Sequence, residues 1–454
     1  MLKFEQIEMR HRALIEQLVW QSGVRSCDLS FANMFGWQHV YDCRVAEVQG
    51  RVVLKYRIDG TPRTAYMQPL GVERWSEFLP LMEEDAAADG QPLRVLLTAE
   101  GLEELSREDW AVDCNRDSCD YIYRRRELAE LAGGAFKAKR NHVARFENRY
   151  DYSVEPLSAA TIEECLRVDA EWRLRRNSTD DAEQVAMCRK LQHFDELGLC
   201  GVVVRLEGRV VAFTFGSMLT EDTFCVHVEK ADTDFDGVYA FVNRAMAAAL
   251  PESVEYINRE EDLGIEGLRR AKLSYRPTML ERKFSALRLD ERTRGVRDLW
   301  CRVFGDEREW VDGFLARFYD PQLSFTRKHD GRVVAMAHIV PLNTELGRTA
   351  YLYAVAVDEK FRGRGLAREV IDEALTFARR GWGGEFDAVC VIPADEGLRG
   401  LYARFGFRDE GFEMSFGTRG GERLGEELFV GRHSSFDLGT GEPQRDKAMV
   451  LCLR

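Results

Sequence analysis

Residues 351–357, Tyr-Leu-Tyr-Ala-Val-Ala-Val, form an uninterrupted apolar run that ends on charge. Its length and its Tyr and Val content predict a buried strand. A charged turn follows, Asp358-Glu-Lys-Phe361, then the glycine-bearing stretch Arg362-Gly-Arg-Gly-Leu-Ala367. Beyond it apolar residues recur at Leu366, Val370, Ile371, Ala374, Leu375 and Ala378, the spacing of one helix face. Phe386–Pro393 predicts the next strand, and a second helix carrying Tyr402 follows Asp395 and ends before a strand start at Gly406-Phe407. Strand, glycine loop and helix in this order aim unpaired backbone N–H groups at an anion.

A repeated pattern organises the rest. Gly208-Arg-Val-Val-Ala-Phe213 recurs as Gly331-Arg-Val-Val-Ala-Met336, with a weaker form at Gly50-Arg-Val-Val53. Each looks like a hairpin turn into a central strand. Glu266-Gly-Leu-Arg269 recurs as Glu396-Gly-Leu-Arg399, again before an aromatic strand start. Matches in the same order predict three related α/β units, about 1–150, 151–286 and 287–454. The middle unit lacks the glycine loop. Where the third has Arg362–Ala367 it has Phe235-Asp-Gly-Val-Tyr-Ala240, and Asp234 and Asp236 make the place repulsive to phosphate.

Composition narrows the class. The 454 residues are 45% hydrophobic and 31% charged, as in water-soluble globular chains, and their number suggests two or three domains. No apolar h-region follows a basic start, and no apolar run is long enough to span a bilayer, so a cytoplasmic location is expected. Eleven scattered cysteines fit a reducing compartment. Cys114 and Cys119 lie close together, but no second pair follows them, which argues for structural thiols over zinc. The eight histidines form no metal-binding motif, and no metal is expected.

Two phosphate-loop templates fail on the glycine loop. A dinucleotide loop needs a small residue three places after the second glycine, and Arg368 stands there. No G-x-x-x-x-G-K-[ST] occurs. The stretch Arg362–Ala367 does match [QR]-x-x-G-x-[GA], and in this it resembles the pyrophosphate loop of the GNAT superfamily of N-acyltransferases. Asp395-Glu-Gly-Leu-Arg-Gly-Leu-Tyr402-Ala-Arg-Phe-Gly406-Phe407 resembles that superfamily's closing motif, N-x-x-(A/G)-x-x-L-Y-x-x-x-G-F. Asp395 replaces the usual Asn and Leu398 the usual small residue.

The resemblance implies a mixed α+β fold built of tandem GNAT-like units, each a twisted sheet flanked by helices. It implies acetyl-CoA as co-substrate and a primary amine as acceptor. Arg362, Gly363, Arg364, Gly365, Leu366 and Ala367 would hold the diphosphate. Val355, Ala356 and Val357 would sit beside the thioester, and Asp395 beside the pantetheine arm. Tyr402 would be the general acid for the leaving thiolate. Tyr351, Tyr353 and His338 are open as base, core or surface residues, and water is a further choice for the base.

Residues 1–286 carry a second resemblance. Ser30-Phe-Ala-Asn-Met-Phe-Gly-Trp37, Leu131-Ala-Gly-Gly134 with Lys137-Ala-Lys-Arg-Asn141, and Asn258–Gly264 with Leu268–Pro277 resemble the C-terminal-type domain of phosphatidylglycerol lysyltransferases. That implies two GNAT-like halves, about 1–150 and 151–286. It opens an alternative activity, aminoacyl transfer from tRNA centred on this domain. Residues 121–149 hold eight Lys or Arg against three Asp or Glu, including Arg124, Arg140 and Arg149. The chain as a whole carries −13, of which −11 falls on residues 1–286, and so acidic a chain gains little from phosphate. Nucleic acid is therefore the lesser expectation, and a non-catalytic acyl-CoA sensor is a third. Arg269, Lys272 and Asn258 are candidates for a pocket here, with capping and surface ion pairs as the equal alternative. Acceptor selectivity would lie in Leu299–Phe318 and Phe412–Leu453, and Gly420–Gly441 is a candidate cover. Neither segment names the acceptor.

Overall fold

Three hairpin turns start three sheets. Gln49-Gly50, Glu207-Gly208 and Asp330-Gly331 each place two successive residues in the left-handed region, with φ of 55 and 73°, 49 and 81°, and 47 and 79°. This is the backbone of two-residue turns that match strand twist, and a glycine at the second position removes the Cβ conflict. The shared Arg-Val-Val after each turn opens a central strand.

The computed structural model describes residues 2–58, 61–176, 181–344, 346–409, 413–416 and 444–453. The first sheet is made of β1 (Glu5–Gln6), β2 (Arg44–Val48), β3 (Arg51–Arg57), β4 (Thr64–Met67), β5 (Arg94–Leu97) and β6 (Trp110–Asp113), with β14 (Phe284–Arg288) inserted between β5 and β6. The second holds β7 (Asp120–Arg124), β8 (Tyr152–Pro156), β9 (Cys200–Leu206), β10 (Arg209–Met218), β11 (Thr223–Ala231), β12 (Tyr256–Asn258) and β13 (Met279–Glu281), in the order β13-β7-β12-β11-β10-β9-β8. The third runs β15 (Ser324–His329), β16 (Arg332–Thr344), β17 (Gly347–Val357), β18 (Ala388–Val391) and β21 (Met449–Cys452). Strands β19 (Glu413–Phe416) and β20 (Gln444–Lys447) pair with each other.

In each large sheet an antiparallel hairpin leads to a strand that pairs in parallel with the next: β4 with β5, β11 with β12, β17 with β18. The first two sheets also trade strands. β7 follows β6 in sequence but joins the second sheet beside β12, while β14 returns from the second sheet to pair with β5 and β6. β14 straddles the 286/287 boundary read from the sequence, so the two halves of residues 1–286 are interleaved. Two short crossings, 114–119 and 282–283, join them.

The third sheet carries helices on both faces. Leu366–Arg380 buries Val370, Ile371, Ala374, Leu375 and Ala378 against Ala335, Ala337 and Ile339. Each such aliphatic side chain removed from water contributes roughly 1.5–3 kcal/mol, which fixes this helix beside the glycine loop. The opposite face takes Glu291–Phe304 and Arg308–Phe318, with Trp300 and Phe314 packed on Tyr353. Helix Arg308–Phe318 also leans on the first sheet, where Arg317 pairs with Asp113 and Arg63 donates to the Arg317 carbonyl at 2.6 Å.

Candidate active site

A fork opens in the third sheet. β17 pairs with β18 only over Thr349–Leu352, so Tyr353–Val357 has no strand beside it on that side. On the other side its register with β16 slips between Met336 and His338, and Ala354 takes φ 49°. That is a β-bulge, and it turns the end of the strand outward. Val355, Ala356 and Val357 thus line one arm of the fork, and their N–H groups on the β18 side have no ladder to join.

The glycine loop closes the base of the fork. Asp358 caps a short turn through the Lys360 N–H at 3.1 Å. Gly363 and Gly365 then adopt φ of 76 and 84°, and Gly365 is the N-cap of helix Leu366–Arg380. The N–H groups of Gly363, Arg364, Gly365, Leu366 and Ala367 meet no acceptor among the described residues. A Cβ built on either glycine would have no atom within 4 Å. The result is an open concavity of donors at a helix N-terminus, which fits a diphosphate. Arg362 is 58% and Arg368 79% exposed at the side chain, and Arg364 lies over the Phe361 ring.

The second motif lies along the other arm. Asp395 is the N-cap of helix Glu396–Ala403, accepting the Leu398 N–H at 3.1 Å, so its carboxylate is engaged by its own helix. Leu398 is half-buried. Tyr402 is the buried residue of that helix, its ring edge-on to Phe407 at 5.9 Å. Burial, and after it the charge of Asp395, push the phenol up to about 12. It therefore keeps its proton at neutral pH and can give it away. On the opposite face Tyr351, Tyr353 and His338 belong to the aromatic core with Trp300 and Phe314. Burial holds His338 neutral, with its pKa down to about 3. Gly420–Gly441 lies outside the described residues.

The middle unit has the same backbone without the space. Gly237 caps helix Val238–Ala249 with φ 86°. There a Cβ would meet the His142 carbonyl oxygen at 2.1 Å, because helix Lys137–Arg149 fills the position. Arg145 pairs with Asp236 at 2.9 Å, and Arg175 with Asp234 at 3.0 Å.

Most of the basic residues at 121–149 are engaged within the fold. Arg124 pairs with Glu255 and Arg126 with Glu130, Arg140 donates to the Leu131 and Gly133 carbonyls, and Lys139 lies over Tyr275 at 3.8 Å. Arg269 is held by Asp117 and Asp262, Lys272 by the Arg259 carbonyl at 2.6 Å, and Asn258 by Asp120 at 2.9 Å.

Two features of residues 1–286 were not anticipated from the sequence. One is a cavity of about 310 Å³ at the fork of β4 and β5, walled by Met67, Leu70, Leu97, Asp28, Arg282 and Lys283. The other is a buried ionic cluster in which the Lys283 ammonium lies 2.8 Å from Asp28, 2.8 Å from Asp120 and 3.4 Å from the Cys27 sulfur. Cys27, Asp120 and Glu261 have ligand-like spacing, as do Cys225, His227 and Glu260. In the first group the ammonium occupies the cation position. Beside the second, Lys190 reaches Asn33 at 2.5 Å. Cys27, Asp120 and Lys283 are scattered in sequence, and the two crossings bring them together.

A bulged, splayed β17 with a donor-lined helix cap defines a GNAT-fold transferase. The acetyltransferase (GNAT) family model matches residues 291–407. The model for the C-terminal domain of phosphatidylglycerol lysyltransferase matches residues 21–287, more than half of the chain, and the chain belongs to that family. A crystal structure of a conserved protein of unknown function from Bacteroides thetaiotaomicron is 40% identical and covers 64% of this chain and 100% of its own, with a TM-score of 0.61. L-PGS from Bacillus licheniformis is 16% identical over 63% of this chain and 92% of its own, TM-score 0.45. A GNAT family N-acetyltransferase from Escherichia coli, solved with CoA, is 25% identical over 26% of this chain and 63% of its own, TM-score 0.22. No curated protein matches. Among the described residues no helix is long and apolar enough to cross a membrane.

Proposed function

We propose that the C-terminal unit is an acyl-CoA-dependent N-acyltransferase, most simply one that moves acetyl to a primary amine. The observation that carries this reading is the open concavity at Gly363–Ala367, with five unengaged N–H groups and no atom within 4 Å of either glycine's Cβ position. Bound CoA would supply an activated acyl thioester. The chain's own residues supply the rest. Gly363 to Ala367 donate to the diphosphate, with Arg362 and Arg364 adding positive charge. Those N–H groups of Val355–Val357 that point away from β16 face the fork, where a donor stabilises charge developing on a carbonyl oxygen. Tyr402 delivers a proton to the departing sulfur. Asp395 acts by placing the Tyr402 helix.

The test is a thermal-shift screen of acyl-CoAs on the full chain, followed by acylation of pooled primary amines read by mass. Acyl-CoA binding with acylated amine supports the reading. Binding with no product from any amine points to a sensor, and the absence of any binding removes the reading. A second reading rests on the family of residues 21–287, an aminoacyl transfer from tRNA. It requires activity that is lost to RNase and falls steeply with salt. Arg124, Arg126 and Arg145 each face a carboxylate, which lowers the net positive potential of this surface.

A further inference from the structure

Cys225, His227 and Glu260 meet at the fork of the second sheet. β11 pairs with β12 only over Thr223–Cys225, so Val226–Ala231 runs on with no strand beside it on that side. On the other side Phe215 faces Val228 and Gly216 faces Val226, which leaves His227 as the bulged residue. Glu260 follows the end of β12 at φ 56°, its N–H bonded to the Asn258 side chain at 2.6 Å. His227 Nδ1 lies 3.1 Å and the Cys225 sulfur 3.8 Å from one Glu260 oxygen. The three donor atoms all lie within 4.8 Å of one another.

The outer side of this set is held in place. The Ser217 hydroxyl lies 2.9 Å from His227 Nε2, and Asn33 donates to the Glu260 oxygen at 2.8 Å. Such partners orient an imidazole and a carboxylate for a metal. The neighbouring cluster offers a comparison. There the Lys283 ammonium lies 2.8 Å from both Asp28 and Asp120. Here Lys190, buried beside the set, turns to the Asn33 side-chain oxygen at 2.5 Å, and Glu260 makes no ion pair with Lys or Arg among the described residues. A thiol, an imidazole and a carboxylate thus converge on a point that no ammonium fills.

We propose that Cys225, His227 and Glu260 bind one zinc ion and leave a fourth position open. Ordinary zinc bond lengths put tetrahedral ligand atoms about 3.4 Å apart for nitrogen and oxygen and about 3.6 Å apart for sulfur and oxygen. The observed 3.1 and 3.8 Å need only small shifts. On binding, the Cys225 thiol gives its proton to solvent and its sulfur bonds the ion. His227 binds as neutral imidazole through Nδ1, with the Nε2 proton donated to Ser217. The dication meets one thiolate and one carboxylate, so the set adds no net charge beyond these ligands to the interior. The His227 side chain is wholly buried and that of Glu260 25% exposed, so the way in from solvent runs past Glu260. Three protein ligands with one open position are the pattern of reactive rather than structural zinc. Spacing alone does not reveal the set, because its members come from one strand and a later loop.

The experiment strips the full-length chain with a chelator, removes the chelator and titrates zinc by calorimetry, with cobalt(II) as a coloured stand-in. The expected result is one zinc per chain with proton release. Cobalt should give the strong visible bands of a tetrahedral centre and a thiolate-to-cobalt charge-transfer band in the near ultraviolet. X-ray absorption of the zinc-loaded wild type needs no variant, and should show one sulfur at about 2.3 Å with nitrogen and oxygen at about 2.0–2.2 Å. Cys225→Ser should lose the charge-transfer band. Ser217→Ala, which removes no ligand, should weaken zinc roughly 10–100-fold. Cys452→Ser, at an exposed thiol, should change nothing. Absence of stoichiometric zinc, coordination by no sulfur or by several, or a charge-transfer band that survives in Cys225→Ser overturns the proposal.

Discussion

Gly237 and Gly365 cap corresponding helices with nearly the same left-handed backbone, φ 86 and 84°, yet they face opposite surroundings. Gly237 is sealed by the His142 carbonyl, whereas Gly365 looks onto open space. The capacity to take a diphosphate therefore depends on whether a neighbouring helix fills the cap.

Gly365→Glu places a carboxylate in that space on a backbone that disfavours any side chain. CoA affinity should fall roughly 100-fold or more, about 2.7 kcal/mol, while the left-handed backbone costs about 1–2 kcal/mol of stability. Titration calorimetry checks it. A variant that binds CoA like the wild type would remove the loop from the site.

Tyr402→Phe should lower kcat by roughly 100-fold or more and leave CoA affinity near the wild-type value. Since the hydroxyl keeps its proton up to about pH 12, kcat should show no basic limb from this group between pH 7 and 10. Unchanged turnover in the variant would make Tyr402 a packing residue.

How much of this was legible in the chain depends on locality. The glycine loop, the helix face from Val370 to Ala378 and the Gly50, Gly208 and Gly331 turns are local patterns, and each reads directly from spacing. Strand exchange is not local. Nothing near Asp120 or Phe284 says that β7 leaves its own sheet or that β14 returns, because both are ordinary apolar strands that either sheet edge could accept. The Lys283 cluster was hidden for the same reason, since Cys27 lies 93 residues from Asp120 and 256 from Lys283 and they meet only at the crossings. Asp395 shows a different limit: one residue type can serve as a helix cap or as a ligand contact, and the chain alone does not say that it caps Glu396–Ala403.

Lys283→Met tests the ionic cluster. The ammonium is 5% exposed and Asp120 wholly buried. Its removal strands the carboxylates of Asp120 and Glu261 in a low dielectric, a loss of roughly 3–5 kcal/mol. Urea unfolding followed by near-ultraviolet circular dichroism should show the midpoint drop. A drop under about 1 kcal/mol would mean that water screens the cluster.

His338 predicts an acid limb of stability. Folded, burial depresses it to about 3 from an ordinary 6.5. Below that ordinary value the unfolded chain takes up a proton that the folded chain refuses, so stability present above pH 6.5 is lost as pH falls toward 3. The slope is about 1.4 kcal/mol per pH unit. Urea midpoints at pH 4.5, 5.5 and 7 measure it, and His338→Leu should flatten the slope by that amount. An equal slope in wild type and variant would assign the acid limb to other groups.

The most direct measurement is a crystal structure of the full chain with CoA. The diphosphate should sit within hydrogen-bond distance of the Gly363–Ala367 amides, with the thiol arm running between Val355 and Tyr402. Density for CoA at the β4–β5 cavity or the Gly237 cap, with this loop empty, would contradict the account.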